Sequence, residues 1–242
     1  MPVSTPTVLH TYTTGAEDNR LHYLDYGGRG TDLICLHGVL GNAWNWHGVA
    51  TGLVGQQRVL ALDFRGYGES QRSASHDYTT AHHVADLAAV SDSLGDDPVD
   101  LIGSSWGALV ALQYAAENPE KVGHLVVVDV EASFDQSETD LFPIPTDCAS
   151  EEEARAGVAL GNPNASPEMV SLIAATCFAP TNDGRFTPNL DPFFLERWPF
   201  RSDDHWERLT QIAAPTLFVH AADSFVNGAV MSRMAERVGG SR

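Results

Sequence analysis

Lysine occurs once in these 242 residues, at position 121, and cysteine three times. Only 14 basic residues stand against 32 acidic ones, a formal net charge of −18. So acidic a surface repels polyanions, which excludes nucleic acid and anionic membrane surfaces as partners. The acidic residues are scattered rather than massed in a tail. That pattern suits a solvated surface whose self-repulsion is screened at high salt, or an ordinary acidic enzyme. Cys35, Cys148 and Cys177 are an odd number without metal-ligand spacing, so reduced thiols are expected and neither a metal site nor a cofactor is. No apolar run approaches the roughly 20 residues that cross a bilayer. The opening Met-Pro-Val-Ser-Thr-Pro has neither the basic nor the apolar region of a signal peptide. The expectation is a soluble, cytoplasmic protein without nucleic-acid or membrane partners. Internal repeats and low-complexity tracts are also missing, and a hydrophobic fraction of 43% supports one full core.

What is present is a strand–helix rhythm. Leu21–Tyr26 reads as a strand, and Asp32-Leu-Ile-Cys-Leu-His37 as one buried on both faces. A helix around Trp46–Leu53 and a strand Arg58–Asp63 follow. Then come a helix over Thr79–Leu94 with Thr80 as its cap, a strand at Val99–Ile102, a helix from Ala108, and a strand Leu125–Asp129. Such units imply an α/β fold, a mostly parallel sheet flanked by helices. From about Glu131, frequent prolines break the rhythm. Helical pieces are expected at Glu151–Leu160, Pro167–Phe178, Asp191–Trp198 and Asp203–Ile212, before a strand Pro215–His220. Residues 133–200 therefore read as a helical cap inserted into a core of 1–132 and 201–242. Phe134, Phe142, Met169, Phe178, Phe186, Phe193, Phe194 and Trp198 are candidates to roof a pocket, most of them expected simply to pack the cap.

The chemistry concentrates at residues 103–107, Gly-Ser-Ser-Trp-Gly. G-x-S-x-G between a strand and a helix is a nucleophile elbow, with the serine exposed on a strained turn at a helix N-terminus. Gly103 and Gly107 would lack a Cβ because helix and strands approach closely there. His37-Gly-Val-Leu-Gly41 follows a buried strand. The Val39 N–H would therefore meet the Trp106 N–H as an oxyanion hole for a carbonyl attacked by Ser105.

His37-Gly38 with Gly41 and Trp46, then Asp63-Phe-Arg-Gly-Tyr-Gly-Glu-Ser70, then the elbow at Ser105, together resemble the α/β-hydrolase superfamily. Within it they are most similar to the capped branch of esterases, lactonases, carbon–carbon bond hydrolases, epoxide hydrolases and dehalogenases. The last two carry aspartate where this chain has Ser105, which favours ester-type chemistry. The resemblance makes His37 structural, a support for the oxyanion loop. His82 and His83 read as solvated on a surface helix.

The resemblance implies Asp223 as triad acid, within His220-Ala-Ala-Asp223, although glycine is common where His220 stands. Asp129 is the alternative acid, and Glu131 a weaker third. The triad order is serine, acid, histidine, yet no histidine follows His220. The expectation is a chain cut short of its last strand and histidine loop. The function expected is a cofactor-independent serine hydrolase of a small, fairly apolar ester or lactone, through an acyl-enzyme on Ser105. Carbon–carbon bond hydrolysis, or non-catalytic binding of a small molecule, are the alternatives.

Overall fold

Alternate residues of the central strands belong to two different hydrophobic clusters. That division places the sheet inside the molecule with both faces covered. The computed structural model describes residues 8–133 and 146–239. Ile34 and Leu36 of β3 (Asp32–Leu36), with Leu60 and Leu62 of β4 (Arg58–Asp63), pack on one side. Leu33, Cys35, Val59 and Ala61 pack on the other. Two-sided burial explains the unbroken apolar runs in the sequence.

Seven strands among the described residues form this sheet, in the order β1-β2-β4-β3-β5-β6-β9. β1 (Leu9–Thr14) and β2 (Arg20–Asp25) enter antiparallel. β3, β4, β5 (Val99–Ser104), β6 (Val122–Val128) and β9 (Thr216–Val219) run parallel. α2 (Thr80–Leu94) and α3 (Trp106–Glu117) contribute to the larger cluster. Every α3 residue except Glu117 is buried, so its apolar pattern runs all round. α1 (His47–Leu53) lies on the other face, where Ala50 is buried. Thr79 rather than Thr80 occupies the N-cap position of α2, and its side chain makes no capping hydrogen bond. The Thr80 hydroxyl is engaged elsewhere, accepting from Trp106 Nε1 at 2.8 Å and donating to Asp203.

Between β6 and β9 stand α4 (Glu151–Gly161), α5 (Pro167–Cys177) and a hairpin of β7 (Phe178–Pro180) with β8 (Phe186–Pro188). The helix expected over Asp191–Trp198 is one short turn, Pro192–Leu195. Asp191 opens it by accepting from Phe193 N at 2.9 Å, and Pro199 starts a separate turn. Asp203–Ile212 likewise holds only the turn Arg208–Gln211. Phe194 is no pocket roof. It is fully buried, stacked on Tyr67 at 4.3 Å and edge-on to Trp106. Phe134 and Phe142 lie outside the described residues. α6 (Gly228–Arg237) follows β9.

Among the described residues β9 pairs on one side only, with β6, and Leu217 and Val219 on it are exposed. Unpaired apolar edges recruit other strands. The chain is expected to elute above its 26.1 kDa monomer mass. A Leu217→Lys, Val219→Lys double variant is expected to return it to monomer by light scattering. A wild-type monomer would remove the argument.

Candidate active site

Ser105 is the junction of β5 and α3, with φ 52° and ψ −122°. A non-glycine residue there carries strain of about 1–3 kcal/mol. It persists because both flanks are over-determined. Ser105 N donates to Val128 O at 3.0 Å, while Ser105 O accepts from Ala108 N at 2.9 Å. A Cβ on Gly103 would stand 2.3 Å from Gly107 O, and one on Gly107 would stand 2.2 Å from Leu36 O. The helix start is thus pressed against β3 and β5 with no room for a methyl group, as the spacing of the two glycines implied.

The loop after β3 lies directly against the serine, since a Cβ on Gly38 would be 3.1 Å from Ser105 Cβ. His37 holds this loop from beneath. Its Nδ1–H donates to Gly38 O at 2.7 Å, and its Nε2 accepts from Phe64 N at 3.1 Å. With both nitrogens engaged, the ring is the neutral Nδ1–H tautomer. Full burial also pushes its pKa down. His37 is therefore a strut. Beyond it Gly41 N closes a turn on Gly38 O at 3.2 Å, and Asn42 and Asn45 cap each other's backbone.

The sequence pattern gave no sign of the role of Asp63. Its buried carboxylate accepts from Ala43 N at 2.7 Å, Glu69 N at 3.0 Å and His22 Nδ1 at 2.7 Å. It thereby pins the end of the loop after β3 to the Gly66–Ser70 segment. Gly68, with φ 54°, lies so close that a Cβ would meet the carboxylate at 2.2 Å.

His83 is fully buried, not solvated as its helix suggested. Its ring packs on Phe64 at 4.6 Å and edge-on to Trp106 at 4.5 Å. Burial, then the nearby Arg65 charge, holds its pKa well below the usual range. α2 faces α3 across the core, so its inward stripe reaches position 83.

The structure treats the two candidate acids differently. Asp129, just past β6, also has φ 52°. Its carboxylate accepts from Ala221 N at 3.0 Å and from the Ser224 hydroxyl at 2.6 Å. Glu131 accepts from Asn227 N at 2.8 Å. Asp223 is exposed, and its side chain makes no hydrogen bond or ion pair among the described residues. His220 Nε2 is committed to Val226 O, to which it donates at 2.9 Å. Among the described residues no histidine hydrogen-bonds Ser105.

A strained serine between a parallel strand and a buried helix, backed by a histidine-braced loop, defines a class. The chain belongs to the α/β-hydrolase fold family, whose model matches residues 32–171. It is 37% identical over 125 residues to an N-formylmaleamate deformylase of Pseudomonas putida, covering 50% of this chain and 47% of that protein. It is 29% identical over 174 residues to a soluble epoxide hydrolase of Corynebacterium, covering 71% and 59%. The chain thus spans about half the length of the curated relatives it matches. Its fold superposes on the crystal structure of E-2-(acetamidomethylene)succinate hydrolase with a TM-score of 0.86 and 19% identity, covering 96% of this chain and 87% of that one. These relatives are hydrolases. No helix among the described residues is long and apolar enough to cross a membrane.

Proposed function

We propose that this is a serine hydrolase acting on a small, fairly apolar carboxylic ester or lactone. The observation that carries the reading is Ser105 held at φ 52° on its elbow against the Gly38 loop. In this reading the Ser105 oxygen attacks the carbonyl carbon. The oxyanion accepts hydrogen bonds from the Val39 and Trp106 N–H groups, each worth about 3 kcal/mol of barrier. Trp106 opens α3, so its N–H is one of the first-turn donors without an intrahelical acceptor. The alcohol leaves with the serine proton, and water then releases the acid from the acyl-enzyme.

For the triad acid, the reading moves from Asp223 to Asp129. What supports Asp129 is its fixed carboxylate, which has accepted two hydrogen bonds and retains lone pairs for an imidazole. It also follows Val128, the residue whose carbonyl receives the Ser105 N–H. The base would be an imidazole that none of the described histidines brings to Ser105, docked against Asp129.

Intact mass after incubation with a fluorophosphonate, with and without added imidazole, tests this. One adduct per chain, stimulated by imidazole and lost in Ser105→Ala, is expected. No adduct under either condition would sink the hydrolase reading and leave a small-molecule-binding relative.

A further inference from the structure

We propose that His10, His22 and Glu69 form a zinc site at the β1–β2 end of the sheet, away from the β5–α3 turn. The antiparallel register pairs His22 with Tyr12 and Leu24 with His10, so the two histidines lie diagonally on one face. His10 Nδ1 stands 3.0 Å from His22 Nε2 and 3.1 Å from Glu69 Oε1, and the three atoms lie within 4.8 Å of one another. Nitrogen and oxygen ligands of a tetrahedral zinc, each about 2.0–2.1 Å from the metal, are about 3.3 Å apart. The two edges that meet at His10 therefore need to open only slightly to admit the ion.

The protonation pattern points the same way. Asp63 accepts from three N–H groups, of which His22 Nδ1–H is one. That bond commits the His22 proton to Nδ1 and leaves the Nε2 lone pair facing His10 Nδ1. A carboxylate behind a histidine in this way orients a metal ligand and raises its basicity. Without an ion, a single N–H at His10 Nδ1 faces two acceptors, His22 Nε2 and Glu69 Oε1. An ion in that proton's place satisfies all three atoms at once.

Rigidity and access are also divided as a binding site requires. His22 is fully buried, whereas the side chains of His10 and Glu69 are 43% and 46% exposed. The Tyr12 hydroxyl donates to the other Glu69 oxygen and holds that carboxylate in place. Two imidazoles and one carboxylate favour zinc over magnesium or calcium, and leave a fourth position for water. A second cluster, Glu17, Asp77 and His82, is poorer. Glu17 is committed to Arg65 at 3.1 Å, and His82 Nδ1 to the Thr79 hydroxyl at 2.7 Å.

The bound ion would clasp edge strand β1 to the segment preceding Ser70. Chelator-treated chain is titrated with Zn2+ by calorimetry, and with Co2+ by visible absorption, alongside His10→Ala and Glu69→Gln. Expected are one Zn2+ per chain at micromolar affinity and a four-coordinate Co2+ spectrum. Each variant should bind at least about 10-fold more weakly. Zinc should raise the melting temperature of the wild type but not of His10→Ala. Binding unchanged in both variants would assign the ion to the thiols or the acidic surface and overturn the site. So would the lack of saturable binding.

Discussion

Ser105→Gly is expected to lose ester turnover by about 10³-fold or more while raising the melting temperature by about 2–4 °C. The two effects share one cause. At φ 52° and ψ −122° a Cβ is strained and glycine is not, so removing the side chain relieves about 1 kcal/mol. It also removes the oxygen that attacks the carbonyl in the proposed mechanism. Ser105→Ala should lose turnover equally but gain no stability, because alanine keeps the Cβ. Initial rates on a short-chain ester, with calorimetric melting of all three proteins, check this. A Ser105→Gly protein that melts below Ser105→Ala would show that the elbow stores no strain.

Asp86→Ala should destabilise the fold by about 3–5 kcal/mol, read as a lowered urea midpoint. Asp86 grips Arg65 with both oxygens, at 2.6 Å to Nε and 2.8 Å to Nη2, and also accepts from Ala16 N at 2.9 Å. Both side chains are 1% exposed, so removing the carboxylate strands a buried guanidinium whose remaining acidic partner, Glu17, is largely in solvent. The Arg65→Met, Asp86→Leu double variant should recover much of the loss, since two apolar groups leave no uncompensated charge. If the double variant is no more stable than Asp86→Ala, packing rather than charge dominates the site.

The fold was legible because its signals are periodic and its key motif contiguous. The buried-strand run at residues 32–36 is dictated by two-sided burial, Gly103 by backbone approach within one turn and Gly107 by the backbone of β3. Less was legible between β6 and β9. There short pieces are stabilised by contacts to other segments, such as Tyr78 donating to Asp191 at 2.6 Å and Asn189 N donating to Cys177 O at 2.8 Å. The β7–β8 hairpin has no strong alternation of its own and was missed.

The sequence by itself determined the serine elbow and the mostly parallel sheet, because each depends on residues adjacent in the chain or on a simple period, whereas the structural role of His37 came only from the family resemblance. Only the tertiary structure decided that the loop after β9 closes on Asp129, through Ser224 at a separation of 95 residues. It alone buried His83 and brought His10, His22 and Glu69 together. The physical reason is the same throughout. Which carboxylate meets which donor is set by strand pairing and by the cost of leaving a buried polar group unpaired, and neither is written in any local stretch of residues.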